Sequence, residues 1–220
     1  MSLKSRILAG LAAVALVGGA AAVTIPAAHA ATQRCGGGCE SLASLKFGAK
    51  NVLSVSRGSS AVLALFWFSG NEDLHGKPVG TVQALYRAHL IAQSVDKTYG
   101  ADLVYEYEWF PKGFGTVLCL GVSGSMQPGT PVTLQPCGVS AATLWIAQTG
   151  RQSGNYMPLI NAGASVNSAL VLTASSASGA LSIAQMALST TAGVTSCAPT
   201  QMWELVAGPF GNSTELPPAP

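Results

Sequence analysis

The chain has 220 residues, of which 49% are hydrophobic and only 9% charged, and its formal net charge is +2 at pH 7. An average soluble domain carries about 25% charged residues, so Ser, Thr, Gly, Asn and Gln have to supply most of this surface. With so little excess charge, nothing drives binding to nucleic acid or anionic lipid by counterion release, and no cofactor motif appears.

The N-terminus reads as an export signal. Lys4 and Arg6 precede an uncharged Ala/Gly/Leu/Val run from Ile7 to Val23, and Ala28-His29-Ala30 supplies a small-x-small cleavage signal. Residues 1–30 are expected to be removed and the remainder secreted, with no membrane span left after the cut. The alanine-rich leader has a bacterial style. Losing Lys4 and Arg6 takes eleven basic residues to nine, against nine acidic ones. One domain is expected, with residues 31–48 as a lead-in, 49–208 as the folded unit and 209–220 as a disordered Pro-rich tail.

All five cysteines lie beyond the expected cut, and in an oxidising compartment they should pair and leave one over. Cys35 and Cys39 lie in Cys-Gly-Gly-Gly-Cys, where the glycines permit a tight loop. Cys119 and Cys137 lie at the inner ends of neighbouring strand-like runs, and they are the expected disulfide. Cys197 is then free, or replaces one of these.

Strand signals dominate the rest. Short apolar or alternating runs occupy 52–56, 61–68, 79–83, 103–109, 117–122, 132–135, 144–147, 156–160, 170–173, 181–184 and 202–206, separated by Gly, Ser, Asn and Pro clusters. Leu103 to Trp109 is the clearest alternation, with Val104, Glu106 and Glu108 on one face and Tyr105, Tyr107 and Trp109 on the other. Val82 to Gln93 is the one candidate helix, but its apolar residues form no firm stripe and it is read as strand. The expected class is all-β.

Repeats organise these runs. Val52-Leu53-Ser54-Val55, Val117-Leu118-Cys119-Leu120 and Ala169-Leu170-Val171-Leu172 look alike. In the first two units the second run aligns Gly76-Lys77-Pro78-Val79 with Gly129-Thr130-Pro131-Val132, and the three units close at Trp109, Trp145 and Trp203. Uneven tryptophan spacings require insertions.

Leu118-Cys119-Leu120-Gly121-Val122, Leu134-Gln135-Pro136-Cys137 and Gln201-Met202-Trp203 together resemble the ricin-type lectin β-trefoil, over roughly Ala49 to Ala207. The resemblance implies a β-trefoil-like fold of three pseudo-repeats with insertions, the alternative being another small β-barrel or sandwich. It implies that Trp109, Trp145 and Trp203 are core residues converging near the threefold axis. It also implies binding of galactose-type sugars through an Asp in the Cys-Leu-Asp-Val strand, yet that position is Gly121 here, and the Asn-Gly after the second cysteine is Gly138-Val139. No ligand-binding residue can be assigned.

Catalytic candidates are few, and each has a simpler structural reading. Ser94-Val95-Asp96-Lys97 spells Ser-x-x-Lys without its partner motifs, and Gly121-Val122-Ser123-Gly124-Ser125 lacks the second glycine of a nucleophile elbow. Glu72, Asp73 and His75 share one turn, and His75 and His89 are the only histidines beyond the leader. Glu106 and Glu108 have a glycosidase-like separation of about 7 Å between Cβ atoms, but exposed glutamates on an edge strand explain them. No catalytic residue and no metal site is assigned. The expectation is a secreted, non-enzymatic β-trefoil-type module for an extracellular glycan or protein, with a protease-inhibitor-like or cell-surface structural protein as the alternative.

Overall fold

A computed structural model describes residues 40–55, 61–65, 74–109, 116–138, 140–151, 153–164, 169–191 and 194–207. The expected leader, Cys35, Cys39 and the Pro-rich tail lie outside the described residues.

Fourteen strands lie among these residues, twelve of them in three four-strand units and two in an inserted ribbon. The first holds β1 (Glu40–Ser44), β2 (Gly48–Val55), β3 (Ala61–Leu65) and β4 (Leu74–Thr81). The second holds β5 (Leu103–Trp109), β6 (Leu118–Val122), β7 (Val132–Pro136) and β8 (Trp145–Ala147). The third holds β9 (Leu159–Asn161), β10 (Leu170–Ala174), β11 (Leu181–Gln185), an inserted ribbon of β12 (Leu188–Thr191) and β13 (Val194–Cys197), and β14 (Trp203–Ala207). The folded unit therefore begins by Glu40 and not at Ala49, because β1 pairs along its whole length with β14.

The first and fourth strands of the units alternate around a six-stranded barrel. Strand β4 pairs with β5, β5 with β8, β8 with β9, and β14 with β1. A single bridge between Met157 and Trp203 joins the third unit's ends, each N–H donating to the other's carbonyl at 2.9 Å, and Glu40 opposite Leu74 does the same for the first. The hairpins β2–β3, β6–β7 and β10–β11 cap one end, linked to one another by bridges from Val62 to Ala180 and from Pro131 to Ser182.

Register proves the threefold relation. Trp145 stands opposite Tyr105 and Asn161, Trp203 opposite Met157 and Ser44, and Leu74 opposite Glu40 and Trp109. Each central residue thus meets two first-strand positions four apart. This is a β-trefoil, and it corrects two expectations. Leu74, not Trp109, is the first unit's counterpart of the two tryptophans. Trp109 belongs to the opening strand of the second unit, where it packs half-buried against the core. The second run of the first unit is β3, so Gly76 to Val79 is not the counterpart of Gly129 to Val132. In the hairpins, Leu53, Leu120 and Leu172 stand opposite Leu63, Leu134 and Ile183, which moves the first unit two residues from its sequence alignment.

Leu42, Tyr107 and Leu159 at matching barrel positions join Leu53, Leu120 and Leu172 in one buried core with Trp145 and Trp203. Each indole also donates a hydrogen bond to its own hairpin, Trp145 Nε1 to the Leu120 carbonyl at 2.9 Å and Trp203 Nε1 to that of Leu172 at 2.8 Å. The aromatic body thus fills the barrel while its N–H satisfies a buried carbonyl. Gln201 of the Gln-x-Trp run is structural as well. Its Nε2 donates to the Gln185 carbonyl at 2.7 Å and its Oε1 accepts from the Ala187 N–H at 2.8 Å, holding the chain where it leaves β11.

The segment read as strand at 82–93 is helical. The helix α1 (Val82–Arg87) is capped by Thr81, whose hydroxyl accepts from the Ala84 N–H, and α2 (Gln93–Tyr99) follows after His89 at φ 60°. Val82 and Leu85, then Ile91, Val95 and Tyr99, bury against Val104, Ile146, Ile160 and Val171 on the outside of the barrel. The helix pair therefore makes a second core on the outer wall. Beside it, burial raises the carboxyl pKa of Asp102 above its usual range. The folded protein then binds that proton more tightly than the unfolded chain, so this group costs stability as pH rises through the acid range to the raised value. Asp102→Asn is expected to flatten that slope and leave the melting temperature at neutral pH equal or higher, as thermal unfolding between pH 3 and 7 will show.

Candidate functional site

The described chemistry-bearing side chains gather on the outer face of β4 and β5. Residues directly opposite in an antiparallel pair share a face, and here His75 stands opposite Glu108 and Lys77 opposite Glu106. On the other side of β5, Cys119 stands opposite Glu108. His75 and the Glu106–Glu108 pair, separate candidates in the sequence, are thus brought onto one surface.

Strand β5 is internal, paired with β4, β6 and β8, so the expectation of exposed edge-strand glutamates is corrected. Glu106 is only 4% exposed. The Gly138 N–H donates to its Oε1 at 2.8 Å, and the Thr143 hydroxyl lies 3.3 Å from the same oxygen and 3.1 Å from the Ser140 carbonyl, free to donate to one at a time. Glu108 instead accepts from Lys77 Nζ at 2.8 Å. This division is not legible along the chain, because Thr143 and Gly138 lie more than thirty residues from Glu106 and only the fold brings them together.

Cys119 and Cys137 form a disulfide that borders this face and fixes the chain leading to Gly138. A cross-link over this separation stabilises by about 3 kcal/mol in the chain-entropy model. The double variant Cys119→Ala, Cys137→Ala should lose about that much in urea unfolding, since both half-cystines lie within the second unit. Cys197 is a buried free thiol, pushed up in pKa by burial while Arg151 pulls the other way. Burial likewise raises Tyr156, with the carboxylate of Glu204 adding to it.

Gly121, where a ricin-type lectin carries its sugar-binding Asp, has no room for a side chain. A Cβ there would come within 2.8 Å of Gln135 Cγ, 3.0 Å of Thr143 Cγ2 and 3.2 Å of the Ala142 carbonyl oxygen. The matching positions of the other hairpins are Ser54 and Thr173. Thr173 Oγ1 donates to its own strand at the Val171 carbonyl, 3.0 Å away.

Other candidates stay apart. Ser94 and Lys97 are both exposed on α2, and Ser123 to Ser125 form the open β6–β7 turn. His89 is exposed between the helices, and Glu72 and Asp73 lie outside the described residues. Among the described residues, no group of three or more His, Cys, Asp and Glu is placed to hold a metal ion. No helix among them is long and apolar enough to cross a membrane.

No family profile and no curated protein sequence matches the chain. Among solved structures, the designed 3-fold symmetric protein ThreeFoil is similar over 77% of this chain and 98% of its own, at 14% identity and a TM-score of 0.49. The β-trefoil class stands on the strand register alone.

Proposed function

We propose that this chain is a secreted, non-enzymatic binding module built on a ricin-type trefoil scaffold whose usual sugar grip has been lost. The observation that carries this reading is the fate of the acidic groups. The carboxylate position of the second hairpin is Gly121, packed against Gln135 and Thr143, while Glu106 and Glu108 are tied to backbone, hydroxyl and lysine. Hydrolysis by a carboxylate pair needs one acid free to reach a leaving group and one base free to reach water, and two carboxylates held in this way serve better as a fixed polar surface. A braced scaffold with such a surface suits a ligand that docks and leaves unchanged.

Export fits the leader and the disulfide, since such bonds persist in oxidising compartments. The test is to express the full chain with its leader, confirm that the exported protein begins at Ala31, and apply it to glycan and extracellular-protein arrays beside a hydrolase panel. Saturable binding without turnover supports the module. Turnover lost in Glu106→Gln or His75→Ala would overturn it, and stoichiometric inhibition of a protease would favour the inhibitor alternative.

A further inference from the structure

We draw no further inference here: the strongest candidate, the side-chain cluster of Cys197 on β13 with Arg151 and Tyr99 near it, is a lone buried thiol with no second observation that points to a ligand.

Discussion

Trp203→Ala is expected to destabilise the protein by about 3–5 kcal/mol, the range found when a large aromatic is cut from a packed interior. The indole is 1% exposed, fills the barrel beside the closure at Met157, and satisfies the Leu172 carbonyl with its N–H. Truncation therefore opens a cavity and strands an acceptor together. Against a total stability of about 5–15 kcal/mol for an ordinary domain, such a loss leaves little folded protein at moderate temperature. Trp203→Phe separates the two contributions, since it keeps most of the apolar volume and leaves the carbonyl unpaired, at a cost of about 1–3 kcal/mol. Trp109→Ala is the contrast, because its side chain is only partly buried at the margin of the same core, and its loss should be the smaller. Urea unfolding of the three variants gives the ranking, and a Trp109 loss equal to that of Trp203 would restore the view that all three tryptophans are equivalent.

The second large effect is expected from rebuilding the lectin carboxylate. Gly121→Asp puts a Cβ within 2.8 Å of Gln135 Cγ and 3.0 Å of Thr143 Cγ2, and a charge into a fully enclosed stretch of β6. The Gln135 atom met is Cγ, so its whole side chain has to turn and release its 2.7 Å bond to Thr133 Oγ1, and Thr143 sits in the 3-10 turn over Ala141–Thr143 that also approaches Glu106. The new carboxylate then meets a buried one, so overpacking and like-charge repulsion add, for an expected cost of about 3 kcal/mol or more. Galactose binding should remain absent, because what is missing is space as well as the acid. Gly121→Ala isolates the packing part and should cost about 1–3 kcal/mol. Thermal unfolding with and without free galactose checks both, and a stable Gly121→Asp protein whose melting temperature rises with the sugar would reverse the argument.

The legible part of this fold lies where a repeat kept its own signals. The hairpin of β6 and β7 carried two cysteines, alternation and a following tryptophan, and the structure joins these in one unit. The first unit is obscured in the sequence because Leu74 stands at its tryptophan position: without an aromatic there, the nearest tryptophan along the chain is Trp109, which belongs to the first strand of the next unit. The helix pair is hard to see in the sequence because the left-handed turn at His89 divides it. Read as one segment it has no stripe, while Val82 with Leu85 and Val95 with Tyr99 each give one. The ribbon of β12 and β13 is mostly Ser and Thr, so it lacked the apolar alternation by which strands are found. Strand β1 fell in the supposed lead-in because its length is fixed by pairing with β14, from the far end of the chain.

At the candidate site, residue types were visible and their company was not. Alternation places Glu106 and Glu108 on one face, but along one strand it says nothing about which neighbours cover that face. Burial of Glu106 depends on Gly138 and Thr143, and the engagement of Glu108 depends on Lys77. These are long-range contacts that the barrel creates. The same is true of Gly121, whose lack of a carboxylate was evident but whose lack of room came only from Gln135 and Thr143 packed over it.

In the threefold trefoil, Trp145 and Trp203 each tie their barrel strand to their own unit's hairpin. A NOESY spectrum of the indole N–H protons reads both ties. Cross-peaks are expected from the Trp145 indole N–H to the backbone of Leu120 and Gly121, and from that of Trp203 to Leu172 and Thr173. Cross-peaks from either indole to another unit's hairpin, or an indole N–H exchanging with solvent as freely as an exposed one, would contradict it.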